Sequence, residues 1–279
     1  MRKLRGIAAA LATGCALAAG TAEAAAIGQP TPWQLGFQGA ASPGMERIDS
    51  FHDVLLVLVT LITLFVLALL VYCIVRFNEK ANPTPSRTTH HTLIEVLWTV
   101  IPIVILVVIA VPSFKLLYLV DEVPQSEMTI KAIGNAWFWD YEYPDHGVAF
   151  TANMVRDKDG KPAGNPRLLE TDNAVVVPVG TTVRVQVTSN DVIHSWAMPS
   201  LGVKKDAVPG RLNETWFKAT KEGMYYGQCS ELCGKDHGFM PIMMKVVSKA
   251  EFEDWVKKTK RADNAPPAAT QLAVAGRNE

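Results

Sequence analysis

The chain has 279 residues, a formal net charge of zero and 49 % hydrophobic residues. That length allows one well-buried domain plus accessory segments. Neutral charge without a cluster of arginines excludes nucleic acid as a partner, because phosphate binding needs grouped cations.

The first stretch, "MRKLRGIAAALATGCALAAGTAEAAA", sets Arg2, Lys3 and Arg5 before a short apolar run and small residues around Ala22 to Ala26. This pattern predicts a secretory signal peptide over 1–26; the run is too short and too Ala-rich for a membrane-spanning helix. Cys15 follows "LATG" in the manner of a lipoprotein cleavage site, but Ala12 stands where such a site has Leu. Residues 27–50 then form an extracytoplasmic N-terminal segment.

Two longer apolar stretches follow, "FHDVLLVLVTLITLFVLALLVYCIVRF" (51–77) and "LIEVLWTVIPIVILVVIAVPSFKLLYLV" (93–120). Each exceeds the roughly 20 apolar residues that cross a bilayer. A soluble helix seldom stays apolar on every face for that length. In and beside the loop 78–92, Arg76, Lys80 and Arg87 face only Glu79. The positive-inside rule makes that loop cytoplasmic and places everything after Val120 outside, in agreement with the signal peptide. Thr92 and Glu95 have capping-box spacing at the start of the second span. His90 and His91 read as interfacial residues, and Cys73 has no partner.

After Val120 the composition changes. "EMTIKAIGNAWFWDYEY", "AVVVPVGTTVRVQVTSN", "ETWFKATKEGMYYGQC" and "MPIMMKVV" are β-branched and aromatic, separated by Pro, Gly, Asn and Asp. Such spacing predicts an antiparallel β-sandwich or barrel over 121–248. "SKAEFEDWVKKTK" predicts a closing helix over 249–261, with Ser248 and Glu251 as a capping box and Phe252, Trp255 and Val256 as its apolar face. The Ala/Pro-rich residues 262–279 predict a disordered tail.

The chemistry is concentrated in "GQCSELCGKDHGFMP" (227–241). Cys229 and Cys233 lie outside the membrane, where a structural disulfide is the default. A disulfide leaves His237 and Met240 unexplained, as well as His194 at the end of a predicted strand in "NDVIHSW". Two thiolates, two imidazoles and a thioether are a soft donor set suited to copper. A structural Cys₂His₂ zinc site has no use for the methionine. A second cysteine allows two sulfurs to bridge two copper ions.

"CSELCGKDHGFM" together with the upstream "HSWAMPSLGVKKDAVPGR" resembles subunit II of the haem–copper cytochrome c oxidases, and the likeness runs from the first membrane span to the closing helix. The resemblance implies a two-helix transmembrane hairpin followed by a cupredoxin-like β-sandwich in a bacterial inner membrane, with the C-terminal domain in the periplasm. It implies a dinuclear copper A centre held by the side chains of His194, Cys229, Cys233, His237 and Met240. Glu231 matches the residue that binds copper through its backbone carbonyl and helps hold magnesium, through its carboxylate, against oxidase subunit I.

Within "GNAWFWDYEYPDH", Trp137 matches the family's electron-accepting tryptophan, although Ala136 and Phe138 replace the usual glutamine and tyrosine. Alternation along a strand puts Trp137 and Trp139 on one face, so both are expected buried or both exposed. Glu142, Asp191 and Asp206 match positions that attract a basic cytochrome c, with Asn190 replacing a common acid. Glu95 matches the acid at the mouth of the family's K proton channel. A quinol oxidase subunit shares the architecture but lacks these copper donors. A copper-storage protein needs neither the two helices nor the tryptophans. No Cys-x-x-Cys-His occurs, which excludes covalently attached haem c. The resemblance implies that oxygen reduction belongs to a haem- and copper-bearing partner subunit, with further oxidase subunits and membrane lipid around it.

Overall fold

The computed structural model describes residues 27–263; the expected signal peptide with Cys15, and the tail beyond Asp263, lie outside the described residues. Two long helices come first, α1 (Pro43–Arg76) and α2 (Thr92–Asp121). Both have the length and apolarity to cross a membrane. Their flanks are exposed along almost the whole length, the pattern of helices solvated by lipid rather than by a core of their own chain.

α1 starts well ahead of the apolar stretch at 51. Ser42 caps it, accepting from Met45 N at 3.0 Å while donating to the Leu201 carbonyl at 2.7 Å. Pro43 supplies the preset φ of a first helical turn. Met45 is buried, and at Gly202 an added Cβ would come within 3.0 Å of its Cα. The helix therefore begins on the sandwich and continues into the membrane.

α2 departs from the expected capping box. Its N-cap is His91, whose Nδ1 accepts from Ile94 N at 3.4 Å, while Glu95 Oε1 accepts from His91 N at 3.1 Å. Thr92 is already inside the helix. An imidazole nitrogen has taken the acceptor role that a hydroxyl usually fills.

The remainder forms ten strands: β1 (Met128–Asn135), β2 (Phe138–Tyr143), β3 (Val148–Ala152), β4 (Val175–Pro178), β5 (Thr182–Ser189), β6 (His194–Met198), β7 (Val203–Ala207), β8 (Asn213–Lys218), β9 (Gly223–Gln228) and β10 (Pro241–Val247). One sheet runs β3-β2-β1-β5-β8, a second β4-β10-β9, and β6-β7 form a ribbon. The expected all-antiparallel pairing gives way in two places: β1 lies parallel to β5, and β10 parallel to β4. Parallel neighbours need crossovers, and here the long connection 153–174 and the strands between β4 and β10 supply them.

The core lies between the sheets. Trp139, Tyr141, Ile130, Val185 and Phe217 from the larger sheet face Ile242, Met244, Tyr225 and Val177, with Trp196 of the ribbon. Tyr143 ties the layers: its hydroxyl donates to Val176 O at 3.1 Å and accepts from Val176 N at 2.9 Å. The closing helix α3 (Lys249–Asp263) buries Phe252 and Val256 and sets Trp255 against Tyr143 and Phe150. The segment before α1 is sewn to the same body, with Tyr226 N donating to Gly28 O at 2.7 Å and Thr220 N to Ala41 O at 2.9 Å.

Candidate metal centre

Three connections converge at one end of the sandwich. The β9–β10 loop carries Cys229, Glu231, Cys233, His237 and Met240; β6 opens with His194; the β1–β2 hairpin brings Trp137. The two thiol sulfurs lie 3.8 Å apart and both cysteines are free. His194 Nδ1 is 3.9 Å from Cys229 Sγ, and His237 Nδ1 is 3.5 Å from Cys233 Sγ. Met240 Sδ is 3.5 Å from Cys233 Sγ, and the Glu231 carbonyl oxygen is 3.3 Å from Cys229 Sγ. The four other expected donors therefore surround the pair of sulfurs. Donor atoms of His194, Cys229 and Cys233 lie within 4.8 Å of one another in a buried group suited to a metal ion.

The fold prepares these positions. His194 is fully buried, and its Nε2 meets Asp191 Oδ1 at 2.8 Å. A carboxylate there keeps the proton on Nε2 and turns the Nδ1 lone pair toward the sulfurs. At Gly134 an added Cβ would stand 2.7 Å from His194 Cδ2, so only glycine leaves room for the ring. Met240 is buried and its carbonyl accepts from Trp139 Nε1 at 3.3 Å.

The thiols titrate unequally. Burial raises Cys229, but hydrogen bonds from His194 and from the backbone of Glu231 and Ser195 outweigh it and bring the thiol down. Burial and then the neighbouring Cys229 charge push Cys233 up. One thiolate forms readily while the second is opposed by the first. A metal ion held by these residues would relieve that opposition, since metal binding to thiols releases protons. Burial likewise raises Asp191, yet hydrogen bonds from His194, Val192 N and Ala136 N leave it below the usual carboxylate value. For His194, burial lowers the pKa, and the Cys229 sulfur and the Asp191 carboxylate more than restore it.

The two tryptophans do not share a fate. Trp139 is fully buried in β2, whereas Trp137 sits in the turn before it, partly exposed, and donates from Nε1 to Cys233 O at 3.0 Å. The hairpin takes Trp137 out of the pleat, so strand alternation does not govern it. Lys235 Nζ stands 4.9 Å over its ring.

The acids also differ. Glu142 pairs with Lys131 at 3.1 Å, and Asp206 is exposed on β7 between Lys205 and Ala207. Asp191 is only about a third exposed and serves His194 and two backbone N–H groups. That supporting role was not read from the sequence, although an acid three residues before a ligand histidine is its one signal. Glu95 lies far along the chain at the opposite end of α2 and takes no part in the metal centre.

The family described as cytochrome C oxidase subunit II, periplasmic domain, matches residues 128–247, and its transmembrane domain matches residues 30–116. A "Probable cytochrome c oxidase subunit 2" of Rickettsia bellii is 54 % identical over 238 residues, covering 85 % of this chain and 88 % of the relative. The chain belongs to the cytochrome c oxidase subunit II family. A cytochrome c oxidase subunit 2 of Oenothera berteroana is 53 % identical over 233 residues, covering 81 % of this chain and 90 % of its own. The solved periplasmic domain of subunit II of cytochrome oxidase of Bradyrhizobium japonicum shares 56 % identity, with a TM-score of 0.47, over 50 % of this chain and 99 % of that one. Family membership makes the chain part of an electron-transferring oxidase, held in the bacterial inner membrane by two helices with its C-terminal domain in the periplasm. The donor set of its metal site suits copper.

Proposed function

We propose that this subunit receives electrons from cytochrome c at a dinuclear copper A centre and delivers them to haem in oxidase subunit I, where oxygen is reduced to water with proton pumping. The observation that carries the reading is the paired sulfurs, 3.8 Å apart, with His194, His237, Met240 and the Glu231 carbonyl around them. A zinc site needs four donors and a single blue copper needs one cysteine; this set exceeds both. Copper bound there supplies a one-electron couple.

Neighbouring residues of the chain hold the donors in place. Asp191 orients His194, Trp139 holds the Met240 carbonyl, and burial of both cysteines limits water. Trp137 is the electron port: its ring is partly exposed and its N–H rests on the Cys233 carbonyl, one bonded path from a ligand sulfur. Glu142, Asp191 and Asp206 steer a basic cytochrome c, the Glu231 carboxylate shares magnesium with subunit I, and Glu95 admits protons from the cytoplasm.

Stopped-flow mixing of the assembled oxidase with reduced cytochrome c tests the reading. Reduction of the metal site should rise with cytochrome c concentration and slow as salt is added. An oxidase reduced by quinol and indifferent to cytochrome c contradicts it.

A further inference from the structure

An outward-opening groove of about 600 Å³ lies between α1 and α2 near their extracytoplasmic ends, with Phe51, Val54, Leu116 and Leu119 among its apolar walls. Arg47 and Lys115 also line it. Both side chains are exposed, and neither has an ion-pair or hydrogen-bond partner among the described residues. Two other cations do find acids: Lys205 reaches Asp121 at 3.5 Å and Lys249 reaches Glu127 at 3.8 Å.

The two cations sit at the extracytoplasmic ends of the two spans. Lys115 lies six residues before the end of α2, within "AVPSFKLLYLV". At 1.5 Å per residue its Cα is about 9 Å inside the helix end. The last turn of α2, with Val120 and Asp121, lines a pocket together with Leu201 and Trp216 of the sandwich. Lys115 therefore sits where the hairpin leaves the sandwich for lipid, and its long stem can carry the ammonium to the headgroups. Arg47 descends from the other side, one turn into α1. A hydrocarbon-lined slot with two unpaired cations at its outer rim matches one kind of molecule, with acyl chains below and a phosphate above.

We propose that this groove binds an anionic phospholipid of the outer leaflet, its phosphate held by Arg47 and Lys115 and an acyl chain against Phe51, Val54, Leu116 and Leu119. Arg47 provides a planar fork that can take two phosphate oxygens, and Lys115 a point charge. Selectivity rests on charge: a zwitterionic lipid fills the slot equally well but brings its own cation to the rim.

The test uses the whole oxidase complex in nanodiscs of phosphatidylcholine with a minor share of spin-labelled phosphatidylglycerol. The wild-type complex should immobilise more labelled phosphatidylglycerol than labelled phosphatidylcholine, and excess inorganic phosphate should not release it. The double variant Arg47→Gln, Lys115→Gln should lose that excess, while Arg47→Lys, Lys115→Arg, which keeps both charges, should retain it. Val54→Trp, filling the slot, should reduce both lipids together. Equal immobilisation of the two lipids by the wild type overturns the proposal. So does an unchanged excess in the Gln variant, or a carboxylate of a partner subunit on Lys115 in a map of the complex.

Discussion

The sandwich and the membrane hairpin meet the same requirement, burial of apolar surface, in opposite ways. In the sandwich the chain covers itself: Trp139, Trp196 and Tyr143 are fully buried, and each indole or phenol finds a partner inside the protein. In the hairpin, the same chain leaves Leu64, Phe65, Leu106 and Phe114 uncovered and relies on lipid or other subunits to solvate them. Self-covering makes a rigid frame in which two thiols, two imidazoles and a thioether can be held ready. Dependence on surroundings makes the hairpin a place for partners. Substitutions in the two regions should therefore fail differently: in the sandwich through the metal, in the hairpin through assembly, lipid or proton supply.

Cys229→Ser should have the largest effect. It removes one of the two central sulfurs, so the assembled complex should lose the copper pair and cytochrome c oxidation with it, while the protein remains in the membrane. Metal analysis beside oxygen consumption measures both. Retention of two coppers per complex by this variant would mean the sulfurs are not shared.

Asp191→Ala is next. It takes the carboxylate from His194 Nε2, where the bond is 2.8 Å. Loss of such a supporting partner typically weakens metal affinity by about 10–100-fold. Competition with a copper chelator should show that loss in the periplasmic domain, and Glu142→Gln, far from the ligands, should not share it.

Trp137→Phe should act between these and the surface changes. It deletes the N–H on the Cys233 carbonyl but keeps a ring in the hairpin. Stopped-flow reduction by cytochrome c should slow, with little change in the concentration dependence that reports docking. Neutralising Glu142 and Asp206 should do the reverse, lowering association at low salt and fading at high salt.

Glu95→Gln should be smallest in stability and selective in function. Gln keeps an acceptor for the His91 N–H, and a helix cap contributes only about 1 kcal/mol. If Glu95 admits protons, oxygen turnover should fall while reduction of the copper site by cytochrome c stays fast. Normal turnover leaves it as a cap alone.

Much of this was legible in the sequence because it is local. Cys229, Cys233, His237 and Met240 occupy one loop, and their types suit copper. The spans at 51–77 and 93–120 announce themselves by length and apolarity, and the order of two helices before a β-rich domain follows. What composition could not resolve depends on long-range pairing or on single backbone turns. β1 beside β5 in parallel is a property of the whole sheet, and no strand sequence encodes it. Trp137 and Trp139 look equivalent until the hairpin separates them. His91 displaces Thr92 as cap because an imidazole nitrogen one residue earlier can reach the Ile94 N–H. Asp191 reads as a surface acid until β6 folds His194 back onto it.

The most direct test of the central claim is an electron paramagnetic resonance spectrum of the oxidised periplasmic domain, loaded with copper and assayed for metal. Two coppers per domain sharing one unpaired electron, seen as a seven-line hyperfine pattern, is the predicted result. Four lines from a single copper, or a domain that keeps zinc in preference to copper, contradicts the account.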